Sequence, residues 1–238
     1  MSAEEGRESL HAWSVGMAVA SLVAIVGWLL APDALSPTGM TAAYSAWTLG
    51  AFGYLFVRIR GHRRWADMVT GVRVLLCVVL FAGHALDPRA AWWKVAVATA
   101  ILVLDAVDGA VARREGPTGR GAVFDMESDA FYLVTMCGIA HVYLGVHALV
   151  FVIGALRPIY VVAWAALVFF IEPPSPNRKG SSLGRVIHLA TVMALIAVLS
   201  PSFGAGAKTA IAAAAAALIC YSYAVHLRPS REPAQNNS

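Results

Sequence analysis

The 238-residue sequence predicts an all-α, polytopic bundle of about eight transmembrane helices, and three observations support that fold class. Hydrophobic residues make up 59% of the chain and charged residues 13%, about half the charged fraction usual in a soluble domain. Apolar runs of roughly 17–25 residues, each able to cross a bilayer as a helix, recur along the whole chain. No polar stretch between them is long enough to form a separate soluble domain. A nucleic-acid partner is not expected; membrane lipids are.

The first span covers about residues 13–31 and stops at Pro32. The preceding "MSAEEGRESLHAW" holds three glutamates against one arginine, and no small-residue cleavage site follows the apolar stretch. It therefore reads as a retained helix rather than a secretory signal. Seven more spans follow, at about 41–57, 68–86, 91–112, 123–142, 147–171, 186–200 and 208–227. The sixth is long and contains Arg157–Pro158, which predicts a kink or tilt. The eighth contains six consecutive alanines, Ala212 to Ala217, small enough to allow close helix contact. The polar tail, residues 228–238, has two prolines and predicts disorder.

Basic residues set the expected orientation, because Lys and Arg are retained on the cytoplasmic side. With both termini inside, inner segments hold 13 of the 18 basic residues and outer segments three: Arg89, Lys94 and Lys208. Arg73 and Arg157 lie within spans. The inner segment "RIRGHRRWAD" has four arginines and Trp65. It reads as a topology anchor with an interfacial tryptophan, and also as a surface that attracts anionic headgroups. Cys77, Cys137 and Cys220 are isolated in apolar runs, so packing is expected rather than a disulfide or zinc site. His84, His141 and His147 lack the i, i+4 spacing of a helical metal pair, and packing or interfacial roles are expected of them.

The segment "DAVDGAVARREGPTGRGAVFDMESD", from Asp105 to Asp129, holds four of the chain's seven aspartates. An ionised carboxylate near the membrane core costs several kcal/mol unless it is compensated. The spacing offers that compensation. Asp105 and Asp108 are i, i+3 on one helix, while Gly121, Asp125 and Asp129 recur every four residues on the next. An antiparallel pair of these helices would converge all four carboxylates. Four oxygen ligands without His or Cys suit a hard cation such as Mg²⁺, Mn²⁺ or Ca²⁺. Two ions about 3.5–4 Å apart would serve phosphoryl-transfer chemistry. Gly109 and Gly121 leave room for a ligand, Ala112 keeps the face open, and Arg113 is placed to fork onto a phosphate.

This pattern, D-x2-D-G-x2-A-R-x7-G-x3-D-x3-D, resembles the signature of the CDP-alcohol phosphotransferases. The resemblance implies a six-helix core over residues 60–227, with residues 1–59 as a two-helix N-terminal extension and 228–238 as a cytoplasmic tail. It also implies an integral membrane enzyme, commonly homodimeric, that makes phospholipids by displacing CMP from a CDP-linked substrate. Carried over, Asp105, Asp108, Asp125 and Asp129 are metal-site carboxylates, and Asp129 is also the general base. Gly109, Ala112, Arg113 and Gly121 contact or make room for the CDP moiety, to which Asp105, Asp108 and Asp125 also belong. Upstream, "DMVTGVR" is similar to the family's N-x2-T-x2-R element, which helps hold the nucleotide. Thr70 and Arg73 match it, whereas Asp67 stands where the family has Asn. Glu127 is not a signature residue, and its i+2 spacing from Asp125 turns it elsewhere.

The reaction implied is attack of an acceptor hydroxyl on the β-phosphorus of CDP-diacylglycerol or another CDP-alcohol, with release of CMP. Candidate acceptors are glycerol phosphate, inositol phosphate, inositol and serine; transfer of a CDP-linked headgroup to a lipid alcohol is the alternative within the family. Arg157 and Arg185 are candidate acceptor-binding residues that would favour a phosphorylated polyol. The competing readings are an internal ion pair for Arg157 and a topology anchor for Arg185. A divalent-cation transporter is the alternative from another class. Against it, the carboxylates crowd one face, and no comparable acidic pair lies near the other.

Overall fold

The computed structural model describes residues 3–30, 37–58, 64–116, 118–170 and 182–226. Among them are eight α-helices: α1 (Ala3–Leu30), α2 (Pro37–Arg58), α3 (Trp65–Leu86), α4 (Trp92–Glu115), α5 (Gly119–Gly138), α6 (Phe151–Phe170), α7 (Ser182–Leu199) and α8 (Ala205–His226). The protein is an all-helical, polytopic membrane bundle. Among the described residues, five segments are long and apolar enough to cross a membrane: Ser9–Leu30, Trp65–Leu86, Trp92–Glu115, Ala148–Val168 and Ala205–Val225. In α7 the apolar stretch Leu183–Leu199 is shorter. The charged residues Arg120, Asp125, Glu127 and Asp129 interrupt α5, and hydroxyl residues dilute α2.

α5 occupies the middle of the bundle. From Ala130 to Gly138 every residue is buried, and α1, α3, α6 and α7 all pack on it. The C-terminal half of this helix is therefore enclosed by its neighbours, while the part that carries Asp125 and Asp129 is partly open. Gly154 of α6 lets that helix approach: a Cβ there would lie 3.3 Å from the Val134 Cα and 3.4 Å from the Cys137 Sγ. Around the rim, α1 exposes Val19, Val23, Val26 and Leu30, and α3 exposes Val72, Leu75 and Val79. Those are the faces that lipid chains would cover.

The first two helices are packed into the bundle rather than appended to its edge. Trp28 of α1 meets Tyr44 of α2, Phe81 of α3 and Phe151 of α6 at centroid distances of 5.6, 5.5 and 5.9 Å. Nearer the other end of α1, Trp13 meets Phe52 at 5.3 Å, and Phe52 meets Phe124 at 5.2 Å. Aromatic pairs of this geometry add about 0.5–1.5 kcal/mol each beyond area burial.

Several boundaries differ from the sequence reading for local reasons. α1 begins at Ala3 because its polar first turns continue the helix beyond the apolar run. α5 begins at Gly119, four residues early, because the Thr118 side chain caps it by accepting from the Gly121 N–H at 3.1 Å. It passes into a π-turn over Ile139–Tyr143, and a short 3₁₀ turn, Ala148–Val150, leads into α6. α6 is continuous through Pro158. In the alanine run of α8, Ala212, Ala215 and Ala216 are buried, and α8 packs closely along α7. Cys77 and Cys137 are buried, but Cys220 is exposed on α8, so the packing role expected of it does not hold. His84 bonds the Leu80 carbonyl, His141 the Val146 carbonyl, and His147 accepts from the Leu149 N–H. Arg60, Arg63, Arg178, Lys179 and the tail 228–238 lie outside the described residues.

Candidate active site

Three helices build the site. α4 supplies Asp105 and Asp108, α5 supplies Asp125 and Asp129, and α3 crosses both with Thr70 and Arg73. The α4–α5 connection is tied to the start of α3. Arg64 donates to the carbonyls of Gly116 at 2.5 Å and Glu115 at 3.1 Å, and the Trp65 N–H donates to Glu115 Oε1 at 3.1 Å. This arginine of the basic segment therefore has a structural role in holding the hairpin that presents the carboxylates.

Arg73 is at the centre of the cluster. Its Nη1 lies 2.7 Å from Asp108 Oδ2 and 2.9 Å from Asp125 Oδ1. Its Nη2 lies 2.9 Å from Asp105 Oδ1 and also bonds Asp129 Oδ1. One guanidinium thus meets all four motif aspartates. Thr70 Oγ1 is 3.1 Å from both Asp108 Oδ2 and the Ala66 carbonyl. Arg73 and Asp108 are almost fully buried, with side chains 2% and 4% exposed, whereas that of Asp125 is 45% exposed. The cluster is deep on its α3 side and open on its α5 side.

Ligand oxygens of Asp105, Asp108 and Asp125 all lie within 4.8 Å of one another. A hard cation with bonds of about 2.0–2.1 Å spans a slightly smaller octahedron, so these three could share one ion if the Arg73 guanidinium that now meets them gave way. The donor set therefore fits a divalent metal. Asp129 stands one helical turn beyond Asp125 and joins the cluster through Arg73.

The other sequence-predicted positions fall as follows. On α4, a Cβ added to Gly109 would sit 3.4 Å from Arg113 Nη1, so the two share one helix face, with Arg113 itself exposed. Ala112 is half-buried. A Cβ on Gly121 would lie 3.0 Å from Thr118 Oγ1 and 3.5 Å from Asp67 Oδ1. Asp67 is buried and stands beside the start of α5.

Next to the aspartates is a cavity of about 240 Å³, lined on its polar side by Asp129, Arg157, His188, Ser222 and Tyr223. Arg157 both lines this cavity and pairs with Glu127, its Nη2 lying 2.6 Å from Glu127 Oε1. Arg185 is exposed on α7, outside that lining. The sequence reading passed over His188, whose Nε2 is 4.0 Å from Asp129 Oδ2. No local spacing marks this histidine, which reaches the site from a helix distant in the chain. Glu127 does turn away from the cluster, and it accepts from Ser14 Oγ of α1 at 2.6 Å.

The four carboxylates and the buried arginine thus adjoin a cavity with a polar wall. The family model for CDP-alcohol phosphatidyltransferase matches residues 63–224. The chain belongs to that family, a group of membrane transferases of phospholipid synthesis. No curated protein and no solved structure matches the chain.

Proposed function

We propose that the protein transfers a phosphatidyl group from CDP-diacylglycerol to a polar alcohol, releasing CMP, with Mg²⁺ as the physiological metal. The observation that carries this reading is the meeting of Asp105, Asp108, Asp125 and Asp129 on one face, against a cavity that Asp129 also lines. Residues 60–227 would form the catalytic core and residues 1–59 an extension. The active site and both termini would face the cytoplasm, and the chain would act as a homodimer.

Two divalent ions held by the four aspartates would neutralise charge developing on the pyrophosphate during transfer. The residues of the chain divide the remaining work. Asp129, at the boundary between the carboxylate cluster and the cavity, accepts the proton of the acceptor hydroxyl as that oxygen attacks the β-phosphorus. The β-phosphorus–oxygen bond to CMP then breaks, and CMP departs with the electron pair. Arg113 meets the phosphates from the open side of α4. Gly109, Ala112 and Gly121 leave space for the nucleotide, and Thr70 and Arg73 set the orientation of Asp108.

Arg157 in the cavity wall favours an acceptor that itself carries a phosphate, such as glycerol phosphate or inositol phosphate. The test supplies purified protein in lipid vesicles with CDP-diacylglycerol and a panel of acceptors, following CMP and the lipid product. A phosphorylated polyol should give the largest turnover. Efficient use of serine or inositol, with no response to phosphorylated acceptors, would remove the acceptor assignment. Transfer from a CDP-linked headgroup to diacylglycerol would reverse the roles of the two substrates.

A further inference from the structure

Glu127 lies on α5 between Asp125 and Asp129, yet it faces away from them and is 3% exposed. Its Oε1 receives two hydrogen bonds, from Arg157 Nη2 of α6 and from Ser14 Oγ of α1, both 2.6 Å long. Ser14 is buried too, and it lies outside the family-matched residues 63–224. Arg157 is the one member of this trio that lines the cavity beside Asp129 and His188.

An isolated arginine on an apolar wall would sample many rotamers, and a lone buried glutamate would lack hydrogen-bond donors. The trio addresses both. The Ser14 hydroxyl and the Arg157 guanidinium both donate to Glu127 Oε1, and the carboxylate in turn anchors one end of the guanidinium. The aromatic contacts of Trp13 with Phe52, and of Phe52 with Phe124, fix α1 against α5 within one turn of Ser14. The hydroxyl is thus held by a packed helix.

We infer that Ser14 and Glu127 are positioning residues that orient Arg157 toward a phosphate-bearing acceptor, which makes the first helix part of the acceptor site. This rests on the acceptor reading above. The extension would then contribute to substrate recognition as well as to anchoring.

The experiment uses the full chain in vesicles, with CDP-diacylglycerol and the phosphorylated polyol that turns over best. Ser14→Ala should raise the acceptor KM roughly 3–10-fold, less than the full effect of a lost hydrogen bond to a charged group because Ser14 acts through Glu127 and Arg157. Glu127→Gln should raise it more. The KM for CDP-diacylglycerol should move less than about 2-fold in either variant, because uniform loss of fold is not the cause. Ser14→Thr, which keeps the hydroxyl, should restore the acceptor KM. In an Arg157→Ala background, Ser14→Ala should add nothing, since its effect passes through the arginine.

An unchanged acceptor KM in Ser14→Ala would overturn the inference. So would equal rises for both substrates, or the same rise with Arg157 already removed. If Glu127→Gln does not fold, the serine variants and the cycle decide. Failure of Arg157→Ala to raise the acceptor KM is a different result: it would remove the acceptor reading itself.

Discussion

Arg73 and Asp108 form a buried ion pair, Nη1 to Oδ2 at 2.7 Å, with side chains 2% and 4% exposed. The pair joins α3 to α4, and through the same guanidinium α3 also reaches Asp125 and Asp129 on α5. A single side chain therefore neutralises carboxylates from both arms of the hairpin.

Removing that charge should destabilise the fold. Arg73→Gln leaves Asp108 buried without its counterion, a change that costs about 3–5 kcal/mol in comparable buried pairs. Thermal unfolding in detergent should show a clear drop. Added Mg²⁺ should recover more of it in this variant than it adds to the unaltered protein, because the cation takes over the same carboxylates.

Asp105→Asn and Asp125→Asn should each lower turnover by on the order of 10³-fold. Both variants should still insert, since each side chain is partly exposed. Mn²⁺ binding followed by electron paramagnetic resonance should weaken in parallel. Near-normal activity in either would contradict the two-metal reading.

Asp129→Asn preserves shape but removes the proton acceptor. The rate should fall by roughly 10²–10⁴-fold while CDP-diacylglycerol affinity changes little. Equal losses of binding and rate would make Asp129 mainly a ligand for metal or donor and remove its role as base.

The proposed orientation has its own test. Ser202 lies in the exposed turn between α7 and α8, and Arg120 is exposed at the start of α5. With the exposed Cys220 replaced by serine, Ser202→Cys should react with a membrane-impermeant maleimide in intact cells. Arg120→Cys should react only after permeabilisation. The reverse pattern would invert the topology.

The legible part of the site was the part written in local spacing. Intervals of three and four residues put Asp105 with Asp108 and Asp125 with Asp129, and helix geometry did the rest. The position of Arg73 among all four was not legible, because it depends on how α3 crosses the hairpin. His188 and Ser14 reach the site from α7 and α1, far away in the chain, and no local pattern announces such contacts. Helix existence followed from apolar runs, but the start of α5 at Gly119 depended on the Thr118 cap, which hydropathy does not register. The burial of residues 130–138 explains how a helix with four charged residues ahead of that stretch can lie at the centre.

The account turns most directly on whether CMP release from CDP-diacylglycerol requires both a divalent cation and the aspartate cluster. Purified protein in sealed vesicles should release CMP when Mg²⁺ and an acceptor are supplied. Release should stop when a chelator removes the metal, return on its restoration, and be absent in Asp125→Asn. Absence of CMP release under all these conditions, together with aspartate-dependent divalent-cation flux across the same vesicles, would contradict the transferase account and favour a transporter.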